Sequence, residues 1–230
     1  MPELPEVETI VRGLRSTLVG RTITGAYVGW ANQIAQPDPD TFSNRLPGQR
    51  IVALRRRAKY VVFDLSDDAL LIHLRMTGRL YVVSAPEQAD AWVRVRFDLD
   101  DGRLLCFSDL RKLGRLYLVS QAENVTGDLG PEPLDDAFSL EQFQALLARR
   151  SGMVKPLLMN QQFVAGVGNI YADEALWLAR IAPRRKADTL EPDEIDRLYH
   201  AIREVLANGI QAEGASVNWS RKPDGGAGEY

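Results

Sequence analysis

Trp92-Val-Arg-Val-Arg-Phe-Asp-Leu99, followed by Asp101-Gly102 and then Leu104-Leu-Cys-Phe107, decides how this chain folds. Apolar and polar side chains alternate through the first eight residues, the period of a strand with one face in a core. Asp-Gly ahead of the next apolar run is tight-hairpin chemistry. Similar short runs lie on either side, at Ile51 to Leu54, Tyr60 to Leu65, Leu70 to Leu74, Leu80 to Val83 and Leu116 to Val119. Short strands joined by tight turns imply a sandwich or barrel. Upstream, Leu4, Val7, Ile10, Val11, Leu14 and Leu18 recur at helical spacing, with Pro5 suited to a first turn and Gly20 to a stop. Downstream, TGDLGPEPLDD (126–136) is rich in turn formers and nearly devoid of apolar residues, which sets a domain boundary there.

Beyond Phe138 the period becomes helical, from Ser139 to Arg150, Val154 to Asn160, Asn169 to Arg180 and Glu191 to Asn208. Ser139-Leu-Glu-Gln142 has the form of a capping box, and Glu191-Pro192 is a sound helix start. The expected fold class is α+β in two domains. Residues 1–130 form a helix-headed antiparallel β-sandwich, residues 138–213 an all-helical domain, and residues 214–230 a tail of little periodicity.

The chain has 230 residues, 45% hydrophobic and 26% charged, with net charge -3. That composition excludes a mainly disordered or collagen-like chain. No apolar run approaches the ~20 residues that span a bilayer, so no membrane association is expected. The acidic start, Met-Pro-Glu-Leu-Pro-Glu, is unlike a secretory signal. A cytoplasmic protein is expected. Lone Cys106 cannot form an internal disulfide, and with His73 and His200 it is too little for a zinc site. Charge is segregated: Arg45, Arg50, Arg55, Arg56, Arg57 and Lys59 lie in a stretch without an acid, Arg103, Arg111, Lys112 and Arg115 accompany Asp109, and Arg180, Arg184, Arg185 and Lys186 form a third cluster. Solvated faces explain any one of these, whereas the three together permit a positive groove on a mildly acidic protein.

Two stretches can carry chemistry. Removal of Met1 would expose Pro2 as a secondary amine whose pKa is held down by the following helix and by partial desolvation, hence a nucleophile near neutral pH. Attack on an aldehyde-level carbon gives a permanently cationic iminium. Glu3, Glu6 and Glu8 suit a helix N-terminus, and beside an amine a carboxylic acid can also protonate a leaving oxygen. In Val164-Ala-Gly-Val-Gly-Asn-Ile-Tyr-Ala-Asp-Glu174, Gly166 and Gly168 allow close backbone approach, and Asn169 opens a helix whose free N–H groups suit a phosphate.

MPELPEVE at Met1 to Glu8, HLRMTGRL at His73 to Leu80, DLRKLG at Asp109 to Gly114 and VAGVGNIYADEAL at Val164 to Leu176 together resemble the bacterial formamidopyrimidine-DNA glycosylases, from first residue to last. The resemblance implies excision of oxidised purines such as 8-oxoguanine and formamidopyrimidines from double-stranded DNA, then strand cutting at the abasic site by β,δ-elimination. It also implies a helix-two-turn-helix in the second domain, a monomer, and work at the nucleoid. Pro2 matches the nucleophile at C1′, Glu3 the acid at the deoxyribose ring oxygen, and Glu6 a supporting carboxylate. Lys59 and Asn169 match phosphate ligands near the lesion, and Lys155 a further lysine facing DNA. Met76 and Arg111 match two of three residues that fill the void left by the extruded base and read the widowed cytosine.

Two positions depart from the family pattern. The third void-filling residue, usually phenylalanine, is Leu113, which wedges but stacks less well. The family ordinarily continues into a four-cysteine zinc ribbon, so zinc is expected in full-length members while this chain needs no cofactor. On that expectation the ribbon is absent, as in a truncation or a zinc-free paralogue, and activity is reduced. The 214–230 tail matches a lesion-capping loop. The alternatives are a non-catalytic or lyase-only damaged-DNA-binding paralogue, the pyrimidine-directed endonuclease VIII branch, and a small-molecule enzyme with proline as general base.

Overall fold

The computed structural model describes residues 1–215 and 228–230. The chain opens with helix α1 (Leu4–Leu18), which has Glu3 at its N-cap, Pro5 in its first turn and buried Leu4, Val7, Ile10, Val11, Leu14 and Leu18 along one side. It packs against a sandwich. One sheet is four-stranded, ordered β1 (Ile23–Val28), β7 (Val93–Leu99), β8 (Leu104–Asp109), β6 (Gly78–Val83). The other is five-stranded, ordered β2 (Ile34–Gln36), β9 (Arg115–Val119), β5 (Ala69–His73), β4 (Tyr60–Leu65), β3 (Ile51–Arg57). The stretch 92–107 forms the β7–β8 hairpin with Asp98 opposite Leu104, and Gly102 takes a φ of 82° in its turn. Apolar residues of α1, of both sheets and of the short helix at 39–45, among them Phe42, Phe63, Phe97 and Phe107, bury into one core.

Sequence periodicity missed β1, β2 and the short helices α2 (Pro39–Arg45) and α3 (Glu123–Thr126). β1 is interrupted by a bulge near Gly25, and β2 is three residues long, so neither shows a period. The sandwich is antiparallel except where β2 runs parallel to β9.

The second half is helical: α4 (Leu140–Leu147), α5 (Val154–Met159), α6 (Asn169–Ala179) and α7 (Pro192–Gln211). Ser139 caps α4 by accepting from the Gln142 N–H. These helices close a second core containing Phe143, Phe163, Tyr171, Leu198 and Leu206. Leu4, the first residue of α1, belongs to this second core, so the N-terminal helix is shared between the two.

The turn-rich stretch between the cores is tightly held. The Glu132 carboxylate accepts from Arg56 Nη1 at 2.7 Å, Arg57 Nη1 at 3.0 Å and the Ala58 N–H at 2.6 Å. Arg57 Nη2 also donates to the carbonyls of Leu129 and Gly130. On the other side, Gly130 N–H donates to the Gln161 carbonyl and Ala165 N–H to that of Pro131. A Cβ on Gly130 would lie 2.7 Å from Phe163 backbone atoms, so only glycine lets the two stretches of backbone approach this closely.

These contacts correct the charge reading of the Arg45 to Lys59 run. Arg45 pairs with Asp68, Arg55 with Asp64, Arg56 with Glu8 and Glu132, and Arg57 with Glu132. Most of that run holds the fold together and offers little free charge to a groove. Arg103 likewise pairs with Asp101 and Arg185 with Glu194. Glu132→Ala strips the partly buried Arg56 and Arg57 of their shared carboxylate. Leaving one side of such a pair uncompensated costs about 3 kcal/mol when buried and less here. A fall in Tm of several degrees is expected, measured by thermal unfolding against Glu8→Ala, which removes only one of the two partners of Arg56.

Candidate active site

The first residues of the chain are drawn into the seam between the two cores. Glu3, almost wholly buried, places its carboxylate on the N-terminus of α6, accepting from the N–H groups of Gly168 (2.8 Å), Ile170 (2.9 Å) and Tyr171 (3.4 Å). A helix N-terminus offers unpaired N–H groups and the positive end of the dipole, and here a side chain from the same protein takes them. Glu3 thus takes three of the N–H groups at this helix start, that of Asn169 not among them. Asn169 itself stays exposed beside it. Gly168 is required sterically, since a Cβ there would lie 2.4 Å from the Glu3 carboxyl carbon.

Glu6 completes the arrangement. Its carboxylate accepts from the Glu3 N–H at 2.7 Å, the Tyr171 hydroxyl at 2.8 Å and the Ala215 N–H at 2.8 Å. Lys59 sits in the turn between β3 and β4, buried, where the φ of 51° at Ala58 and the Glu132 contact fix the turn. Burial lowers the Lys59 pKa, with the charges of Glu3 and Glu6 opposing. Burial raises that of Glu3 against the backbone N–H groups and Lys59. The amine at Met1 is lowered as well, by burial first and by Lys59, against Glu3 and Glu6. An amine, an acid and a lysine therefore share one poorly hydrated site, with each pKa moved toward the neutral form. Pro2 is buried.

Sequence reasoning missed His73, Tyr171 and Asp109. His73 is buried against Tyr60, its Nδ1 accepts from the Arg75 N–H at 3.1 Å, and burial pushes its pKa down to about 3, with Arg75 and Lys59 adding. It stays neutral. Asp109, fully buried, accepts from Gln33 Nε2 and the Gly114 N–H, each at 2.8 Å, from the Thr77 hydroxyl and from the Arg111 N–H at 3.2 Å. One carboxylate thus fixes both loops that carry Met76, Arg111 and Leu113. All three are exposed, and Met76 and Leu113 line a cavity of about 350 Å³ with Met1, Arg75 and Arg115. Six of the nine expected site residues, Pro2, Glu3, Glu6, Lys59, Met76 and Leu113, surround the N-terminus or its cavity. Arg111 shares a loop with Leu113, and Asn169 lies between Gly168 and Ile170, whose N–H groups donate to Glu3. Lys155 lies apart on α5, its Nζ 2.7 Å from an oxygen of Asp173, so it is already partnered. The expected lesion-capping tail falls mostly on residues outside those described.

Among the described residues no group of three or more His, Cys, Asp or Glu is placed to hold a metal ion. Cys106 is buried in β8 and burial pushes its thiol up to about 11, which does not fit a zinc ligand. Among the same residues no helix is long and apolar enough to cross a membrane.

Two outcomes follow from the geometry. Gly168→Ala must displace the Glu3 carboxylate from the helix N-terminus, so Tm is expected to fall by several degrees, measured by thermal unfolding. Lys59 has a folded pKa below its ordinary 10.5, so its charge opposes folding fully below the folded pKa and not at all well above 10.5. Lys59→Met should therefore raise Tm at pH 7, with the gain shrinking as pH approaches 10.5, measured by thermal unfolding across that window.

Comparison with known proteins places the whole chain. Residues 1–116 match the model of the formamidopyrimidine-DNA glycosylase N-terminal domain, and residues 129–221 that of its H2TH domain. Formamidopyrimidine-DNA glycosylase of Protochlamydia amoebophila is 43% identical over 236 residues, covering 100% of this chain and 86% of the relative. The crystal structure of the MutM (Fpg) protein from Thermus thermophilus superposes with a TM-score of 0.88 at 38% identity, over 99% of this chain and 84% of that one. Lactococcus lactis Fpg, in complex with N7-benzyl-Fapy-dG-containing DNA, gives 0.89 at 32% identity, over 97% and 84%. The chain belongs to the formamidopyrimidine-DNA glycosylase family.

Proposed function

We propose that this chain excises oxidised purines, 8-oxoguanine and formamidopyrimidines, from double-stranded DNA and cuts the strand at the resulting abasic site. The carrying observation is the convergence of the N-terminal segment, Glu3 and Lys59 in one buried site, with the amine's pKa lowered and the acid's raised. Once Met1 is removed, the Pro2 nitrogen is the free amine. Its lone pair forms a bond to C1′ as the bond from C1′ to the base breaks; the base leaves with the electron pair and takes up the proton that the Pro2 nitrogen loses. Glu3, whose pKa burial raises, delivers a proton to the deoxyribose ring oxygen. The ring opens to an iminium on Pro2, which acidifies the 2′ hydrogens; loss of one expels the 3′ phosphate, and a second elimination expels the 5′ phosphate.

In this reading Lys59 and Asn169 hold phosphates beside the lesion, Lys155 exchanges Asp173 for a phosphate, and Glu6 keeps the amine in register. Met76, Leu113 and Arg111 enter the duplex, the first two filling the vacated space and the last donating to the orphaned cytosine. Residues 1–130 carry the chemistry and residues 138–213 the grip on DNA. Lactococcus lactis Fpg forms complexes with abasic-site-containing and Fapy-dG-containing DNA, which supports damaged duplex as the partner here. The nucleoid is then the place of work. Base removal by these 230 residues alone is expected to be slower than cleavage at a ready-made abasic site.

Borohydride reduction during incubation with a duplex carrying 8-oxoguanine opposite cytosine, or an abasic site, should trap a covalent protein–DNA adduct, and Pro2→Gly should diminish it. Absence of any adduct with both duplexes sinks the nucleophile assignment. Mass measurement of the intact protein shows whether Met1 is gone.

A further inference from the structure

Four of the five cation–π pairs among the described residues lie on or beside the four-stranded sheet. A chain of this length ordinarily has about three in all. Three of them form one surface. Tyr27 stands opposite Arg96 in the β1–β7 register, with the guanidinium 5.7 Å from the ring centroid. Arg94, two residues earlier on the same face, lies over Trp92 at 5.5 Å. Lys112 lies over Trp30 at 3.6 Å. These rings remain open to solvent, Tyr27 by 56% and Trp92 by 48%, which is unusual for side chains with so much apolar area.

The surface is continuous with the loop carrying Arg111 and Leu113. The Arg94 Nε donates to the Asp109 carbonyl at 3.1 Å, the Asp109 N–H donates to the Trp92 carbonyl at 2.9 Å, and Lys112 sits between Arg111 and Leu113 in sequence. It is also positive. Among the described residues Arg94, Arg111 and Lys112 form no ion pair, and Arg96 pairs only with Asp98. Topology gives a direction. Lys59 is on the five-stranded sheet, the patch is on the four-stranded sheet, and the 109–114 loop crosses from one to the other. A loop that enters a duplex there leaves the damaged strand on the Lys59 side and its partner strand on the patch side.

Resting on the catalytic reading above, we infer that this patch binds the strand opposite the lesion. Arg96 and Lys112 take its phosphates, and the planar faces of Trp30 and Tyr27 pack against its deoxyriboses. Titration of a tetrahydrofuran-containing duplex over a range of salt tests it, beside the same lesion strand paired with an opposite strand cut short on the patch side. Trp30→Ala with Lys112→Gln is expected to weaken binding to the full duplex about tenfold and to lower the salt slope by about one, leaving the shortened duplex unaffected. Tyr27→Ala, at an exposed position, should act in the same sense. Equal loss on both duplexes, or none on either, overturns the patch. Failure of the unsubstituted protein to prefer the tetrahydrofuran duplex over undamaged DNA instead overturns the catalytic reading, and the patch with it.

Discussion

The Glu3 carboxylate on the N-terminus of α6 is the interaction on which the rest of the molecule depends. It ties the first turn of the chain, which belongs to the sandwich, to a helix of the second core across 165 residues or more of sequence. Three backbone N–H groups and the helix dipole favour the ionised form, and burial disfavours it more. Glu3 is thereby both the fastener between the cores and an acid with a raised pKa. A side chain that only fastened would be better served by full ionisation, and one that only donated protons would not need three N–H partners.

Around that contact the charges sort by purpose. Glu132 gathers Arg56, Arg57 and the Ala58 N–H, which fixes the turn presenting Lys59. Asp109 gathers three donors from the loops that present Met76, Arg111 and Leu113, and a fourth from Gln33. Carboxylates thus hold the loops, while Lys59 stays buried and Arg111 stays at the surface. A net charge of -3 is compatible with a nucleic-acid site because many of the acids are engaged internally by arginines that would otherwise broaden the positive field.

Much of the fold could be read from residues. The period of Leu4 to Leu18 gave α1 within its observed bounds, and Tyr60 to Leu65 is β4 as found. What escaped were β1, with a bulge near Gly25, and β2, too short for a period to show. The site was legible where a motif is local: Pro2, Glu3 and Glu6 are close neighbours, and Gly168 with Asn169 marks a helix start. Asp109 and Tyr171 were not, since a lone acid among basic residues and a tyrosine in a helical run look ordinary until their partners are known.

The sequence by itself determined the element types, the two-part organisation and the family, because periodicity and short motifs are properties of neighbouring residues. Tertiary structure alone decided which charges are free. Arg56 and Arg111 are indistinguishable as letters, yet the first is held between Glu8 and Glu132 and the second faces solvent. The same holds for the helix start at Asn169, where Glu3 takes the N–H groups of Gly168, Ile170 and Tyr171. The physical reason is that burial and pairing depend on groups distant in sequence, and these set both the pKa of an acid and the reach of a cation.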